Sequence, residues 1–414
     1  MNRQDTDGRT RRPARALGSA AVLLALALLL SLAVGPAAGV AGGPAAAAKQ
    51  ASQRAKHKCK KRRARRCHRK KHPKPKLPRN FYGINPNYGF PSQQEFNRMK
   101  AGGIASYRLP MYWSNVEYTK GVYNWDRSKV DMVMERAVKA RLDVLPFVVG
   151  TPYWMNGDET VLPIKSAEQE QAWADFLKAV VHRYGPGGTF WAEHAPGTAD
   201  PVPARPIWAL QIWNEENYHY FAYPASPEDY GELLKVAAQA IRSVDPRIRI
   251  VTGGLFGRPS GGYPNAMYST EFLRRLYQVP GARSSFDAVA LHPYASRAEY
   301  MKPQIAAIRS IMDAAGDSKK QIWLTEFGWG SGDPSPENSF LRGLIGQKTE
   351  LVSAYRMLTE KLRRWRIGRT YYFSWSDSTS PHPCNLCSTS GLFRVNGTAK
   401  PAWYGLVKLT GGTP

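Results

Sequence analysis

Two short segments run from apolar residues straight into a carboxylate: LQIWNE, residues 210–215, and IWLTE, residues 322–326. A lone glutamate at the end of an apolar run is usually a solvated or salt-bridged group. Two such glutamates, Glu215 and Glu326, can instead divide a reaction between them. One stays protonated and gives its proton to a leaving oxygen, while the other is ionised and attacks an anomeric carbon. That is the chemistry of glycosidic bond cleavage, and a separation of about 5 Å would make it proceed with retention through a covalent intermediate. Other polar residues stand at comparable positions: Arg108, Asn214, His292, Tyr294, and Trp375 beside Asp377. Rings crowd the same stretches, among them Tyr112, Trp113, Tyr153, Trp154, Trp213, Tyr218, Tyr220 and Trp329. Flat rings stack on sugar C–H faces and amides bind hydroxyls, so such a cleft suits a carbohydrate better than a phosphate or an apolar ligand.

Placing these groups together requires elements that end at one mouth. From residue 81 onward, β-branched and aromatic runs alternate with helical periodicity. Strands are expected at 81–85, 106–113, 143–150, 207–214, 249–256, 286–294, 322–329 and 370–377. Helices are expected near 92–102, 127–141, 167–184, 227–244, 269–279, 299–315, 340–366 and 401–410. Ser226 before Pro227 and two acids reads as a helix start. Eight β-then-α units predict an α/β fold of the (β/α)8 TIM-barrel type, with the strands' C-terminal ends forming the active face. A doubly wound open sheet is disfavoured. GINPNYGF lacks the dinucleotide fingerprint, and GGLFGRPSGG (253–262) is not followed by Lys-Ser/Thr.

The combination of WNE at the fourth strand, TEFGW at the seventh, HPY after the sixth, YRLP on the second and SWSD at the eighth resembles clan A glycoside hydrolases. Families 39 and 5 are the nearest, and the likeness covers roughly residues 81–410. The resemblance implies a cofactor-free retaining β-glycoside hydrolase acting on an extracellular polysaccharide or oligosaccharide. It implies Glu215 as acid/base, Glu326 as nucleophile and Asn214 on the sugar 2-hydroxyl. Tyr294 would hydrogen-bond the nucleophile, Arg108 would keep it charged, and His292 would line the site. Trp375 would form the platform under the cleaved sugar, with Trp113, Trp154 and Trp329 as further substrate-binding rings. A transglycosylase or a carbohydrate-binding pseudoenzyme at the envelope is the alternative. One departure stands out: these families usually follow Asn-Glu with proline, and here Glu216 takes that place.

The chain has 414 residues and a net charge of +26. Residues 1–80 hold 21 of the 58 Lys/Arg and 2 of the 32 Asp/Glu, so the charge divides into +19 there and +7 in residues 81–414. Arginines 9, 11, 12 and 15, the apolar run Ala16–Val34 and a small-residue stretch read as a signal peptide, cut after Ala41 or Ala48, or as a membrane anchor. The expected organisation is therefore a leader over 1–48, a basic linker over 49–80 and a catalytic barrel over 81–414. The linker lacks apolar content for a core and suits an anionic cell-envelope polymer or lipid. Nucleic acid is not an expected partner, and a secreted or envelope-associated monomer is. Four cysteines, Cys59, Cys67, Cys384 and Cys387, point to two local disulfides rather than a zinc site. No metal is expected.

Overall fold

The computed structural model describes residues 76–414 apart from 88, 381–383 and 385. The expected leader, nearly all of the basic linker and the Cys59–Cys67 pairing lie outside the described residues. Eight parallel strands form a closed barrel: β1 (Tyr82–Ile84), β2 (Ser106–Tyr112), β3 (Asp143–Val149), β4 (Ala209–Ile212), β5 (Arg249–Val251, continued by Leu255–Phe256), β6 (Ala288–His292), β7 (Gln321–Phe327) and β8 (Ile367–Tyr372). Each pairs with its sequence neighbours, and β8 closes on β1 through the register Gly83↔Tyr371. Both parts of β5 pair with β6, so Thr252, Gly253 and Gly254 bulge out of an otherwise continuous strand position.

One long helix follows each strand: α1 (Gln93–Ala101), α2 (Val130–Lys139), α3 (Ala167–Tyr184), α4 (Pro227–Val244), α5 (Ser269–Leu276), α6 (Met301–Ala314), α7 (Gly343–Trp365) and α8 (Pro401–Thr410). Their starts are written locally. Ser92 and Glu95 form a reciprocal capping box on α1, and the Ser226 hydroxyl accepts from the Asp229 amide with Pro227 in the first turn of α4. The barrel interior is filled by Leu145, Ala209, Val251, Ala288, Ala290, Trp323 and Tyr371, a packed core rather than a pore. Cys384 and Cys387 form the expected local disulfide.

Two strand ends differ from expectation in ways that matter. The eighth strand is Ile367–Tyr372 rather than 370–377. Gly368 and Arg369 hid its start, yet glycine is required there: a Cβ would stand 2.4 Å from Trp323 Nε1. The second strand stops at Tyr112, and Trp113 opens a short helix, Trp113–Val116. Trp375 and Trp113 therefore lie beyond their strands.

Candidate active site

The C-terminal strand ends bring six expected residues together: Arg108 from β2, Asn214 and Glu215 after β4, His292 and Tyr294 at the end of β6, and Glu326 on β7. A carboxylate oxygen of Glu215, one of Glu326 and a ring nitrogen of His292 lie within 4.8 Å of one another. Both glutamates are mostly buried, with side chains 12% and 14% exposed. The chain strains to present the first of them. Trp213 has φ 72° and Glu215 φ 40°, left-handed values that bulky residues adopt only where surrounding packing holds them. That packing is local: the buried Trp213 indole donates to the Phe221 carbonyl at 2.6 Å.

The two carboxyl groups have different surroundings. Glu326 receives Arg108 Nη1 on one oxygen at 2.5 Å and the Tyr294 hydroxyl on the other at 3.0 Å, donors that complement a carboxylate charge. Burial, followed by the nearby Glu326 charge, pushes the Tyr294 hydroxyl far up, so it stays protonated and donates. Glu215 has one neutral neighbour: His292 Nδ1 lies 2.8 Å from its Oε1. Burial first, and then the Glu326 charge, raises the Glu215 carboxyl well above its ordinary value. His292 is driven well below its own ordinary value by burial and by Arg108, and is therefore neutral.

The hydrogen-bond directions can be assigned from Arg108, which has only donors. Its Nε donates to Gln211 Oε1 at 2.7 Å, so the Gln211 amide nitrogen faces Thr325 Oγ1 at 3.2 Å and donates. The Thr325 hydroxyl is then free to donate to His292 Nε2 at 2.9 Å, leaving Nδ1–H directed at Glu215. The His292 bond thus orients Glu215 while the carboxyl proton remains available for transfer. Arg108 also donates to Asn85 Oδ1 at 3.2 Å and Asn214 Oδ1 at 2.7 Å, above the Phe147 ring at 3.8 Å. With its oxygen held by Arg108, the Asn214 amide nitrogen is the group left to meet a ligand.

The expected tryptophans do not converge on these carboxylates. Trp375 is buried between Phe393 and Trp403, and its indole donates to Glu95 of α1 at 2.9 Å. Its platform role is corrected, because β8 ends three residues before it. Phe373, the residue directly after β8, has its ring centroid 6.5 Å from that of Tyr294 and lies beside the site. Trp113 is fully buried against Phe176 and Trp173, and Trp329 is buried with its indole on the Ala295 carbonyl. Both are packing residues. Trp154 is partly exposed, anchored through Nε1 to the Glu117 carbonyl at the rim. The most exposed rings in these loops include the tyrosines Tyr112, Tyr153 and Tyr220.

Sequence reasoning missed Asn85, Gln211, Thr325 and Phe373. Asn85, Gln211 and Thr325 are polar residues at otherwise apolar strand positions, and all three are buried; that anomaly was the available signal. Glu216 is fully buried, and neither of its oxygens has a hydrogen-bond partner. The nearest donors are already engaged: the Gly253 amide donates to the Tyr230 hydroxyl, which donates to the Ile212 carbonyl. Burial pushes the Glu216 carboxyl up to about 8, moderated by those neighbouring groups. Behind it the β5 bulge is glycine for contact reasons. A Cβ on Gly253 would stand 2.4 Å from Glu216 Oε2, and one on Gly254 would stand 2.3 Å from His292 Nε2.

Glu215, His292 and Glu326 are the one group among the described residues whose ligand atoms could gather on a cation. Arg108 occupies the charge of Glu326, and His292 has both nitrogens on protein partners. A protonated carboxyl beside an ionised one, able to divide proton donation and nucleophilic attack between them, is the chemistry this arrangement favours.

Residues 213–403 match a family described as the glycosyl hydrolase catalytic core. Over those residues the chain carries a glycoside hydrolase core. It is 27% identical over 155 residues to a beta-xylosidase of Geobacillus stearothermophilus, covering 36% of this chain and 26% of that protein. A family 39 glycoside hydrolase from Bacteroides cellulosilyticus WH2 superposes with a TM-score of 0.56 at 19% identity, over 81% of this chain and 65% of the other. A family 39 enzyme from Xanthomonas axonopodis pv. citri gives a TM-score of 0.57 at 19% identity, over 82% and 68%. The chain thus spans about a quarter of the named beta-xylosidase and about two-thirds of the first of these structures. The structural likeness establishes the barrel fold.

Proposed function

We propose that this chain hydrolyses β-glycosides with retention, with Glu215 as acid/base and Glu326 as nucleophile. The observation that carries the reading is the approach of the two carboxylates within 4.8 Å in contrasting surroundings. Retaining enzymes place the pair about 5–5.5 Å apart, closer than inverting ones, which leave room for water. Glu326, fixed by Arg108 and Tyr294, attacks the anomeric carbon. Glu215, kept protonated by burial, gives its proton to the departing oxygen and later takes one from water. Asn214 is placed to bind the sugar 2-hydroxyl through its free amide nitrogen. The substrate is a polysaccharide or oligosaccharide outside the cytoplasm; a β-xyloside is the first sugar to try, given the named relative. The transglycosylase and binding-only readings have no observation in their favour.

A panel of 2-deoxy-2-fluoro β-glycosides, β-xyloside included, should label the peptide containing Glu326, read by mass spectrometry. Absence of label across the panel, with turnover unchanged in Glu326→Ala, would sink the assignment.

A further inference from the structure

The opposite mouth of the barrel carries a second concavity that the reaction does not use. It has a volume of about 430 Å³ and lies at the N-terminal ends of β5, β7 and β8, closed on one side by the end of α7. Its lining includes Arg249, Lys319, Arg363 and Arg366, with Gln321, and no carboxylate. Basic residues in the last turn of a helix offset its dipole, which accounts for Arg363 alone. Arg249 opens β5 and Lys319 lies in the turn before β7, and among the described residues none of the four cations has an ion-pair partner. Arg249 is held in place by Gln321, whose side-chain oxygen accepts from it at 3.3 Å and from the Trp323 indole at 3.1 Å.

A fifth cation deepens the imbalance. Arg369, from the start of β8, stands over the Trp208 ring at 3.5 Å and over Trp323 at 5.5 Å, and Arg249 stands over the same Trp323 at 5.7 Å. Arg369 Nη1 is buried with no hydrogen-bond partner. The carboxylates nearest these strand starts are engaged elsewhere, Asp143 with Arg205 at 2.9 Å and Asp287 with Arg242 at 3.7 Å. Gathered guanidinium groups whose nearby carboxylates, Asp143 and Asp287, are paired with other arginines match tetrahedral oxyanions, which guanidinium binds in a forked fashion.

We propose that this N-terminal mouth is a binding site for a phosphate or sulfate group borne on an anionic polymer. The site is independent of the hydrolase reading, since it shares no residue with the carboxylate cluster. It also differs from the basic stretch before residue 76, so the test must resolve position along the chain. The full chain is taken through hydrogen exchange with inorganic pyrophosphate, with polyphosphate, and with phosphatidylglycerol vesicles, the readout being peptides spanning 319–322 and 362–370. Pyrophosphate and polyphosphate should both slow exchange there, and Arg363→Gln/Arg366→Asn should weaken the effect at least ten-fold while leaving turnover of a soluble glycoside unchanged. Arg363→Lys/Arg366→Lys should retain most of it, which separates lost charge from lost folding. Protection confined to residues before 76, protection by vesicles alone, or protection unaltered in the neutralised variant would each overturn the proposal.

Discussion

Glu216 follows Glu215 in sequence and could point into the cleft or away from it; the structure turns it away, into a fully buried position behind the site, against Gly253. A carboxyl raised from an ordinary 4.5 to about 8 by burial is protonated in the folded chain over a range where the unfolded chain has lost its proton. The folded state then binds more protons than the unfolded state between those values. Its contribution to stability is complete below about pH 4.5 and is lost as pH rises towards 8, by up to about 1.4 kcal/mol per pH unit. Glu216→Gln should therefore flatten the stability–pH profile across that window, measured by urea denaturation at pH 5 and pH 8, with the variant gaining most at pH 8. An unchanged slope would place the Glu216 carboxyl in contact with water. The paired glutamates and the groups touching them were legible because they break apolar runs near strand ends. Gln211 and Thr325 were not, since a buried polar side chain inside a strand declares its purpose only once its partners from other strands are known.

At the level of elements, the alternation of strand and helix was readable throughout, because parallel barrel strands are apolar runs and the helices carry their own caps. What failed was the end of β8. A strand opening with Ile-Gly-Arg looks like a loop, and shifting its start by three residues carried Trp375 from the cleft to the outer packing layer. The bulge in β5 was equally hidden: GGLF reads as a flexible turn, while its two glycines are there because Glu216 and His292 occupy the space a side chain would need. Gly254 has φ 99° and Gly261 has φ 92°, so alanine strains both backbones alike, by about 1–3 kcal/mol. Only at Gly254 would the new methyl displace His292 from Thr325. Gly254→Ala should lower kcat at least ten-fold through misplacement of Glu215, whereas Gly261→Ala, which meets only side chains at 3.8 Å or beyond, should cost stability with kcat within two-fold. Equal activity losses in steady-state assays would show that strain, not the His292 contact, is what matters.

Within the barrel, the carboxylate pair and a cluster of cations lie at opposite mouths. The carboxylate pair is balanced within its own mouth by Arg108, buried and bonded to Glu326. Cations without ion-pair partners gather at the other mouth of the barrel, and by sequence the first 80 residues carry +19 of the +26. Exposed charges separated by more than about 8–10 Å are screened at physiological ionic strength, while buried pairs are screened far less. The two activities should then respond differently to salt. Turnover of a neutral aryl β-glycoside should change less than two-fold between 50 and 500 mM NaCl, since no step in it depends on a long-range field. Retention of the full chain on a phosphate-bearing polymer should fall by orders of magnitude over the same range, as counterions compete for each exposed cation. A parallel decline of both would mean that the distant cations shape the field at Glu215 and Glu326, and that the Arg108 pair does not isolate the site.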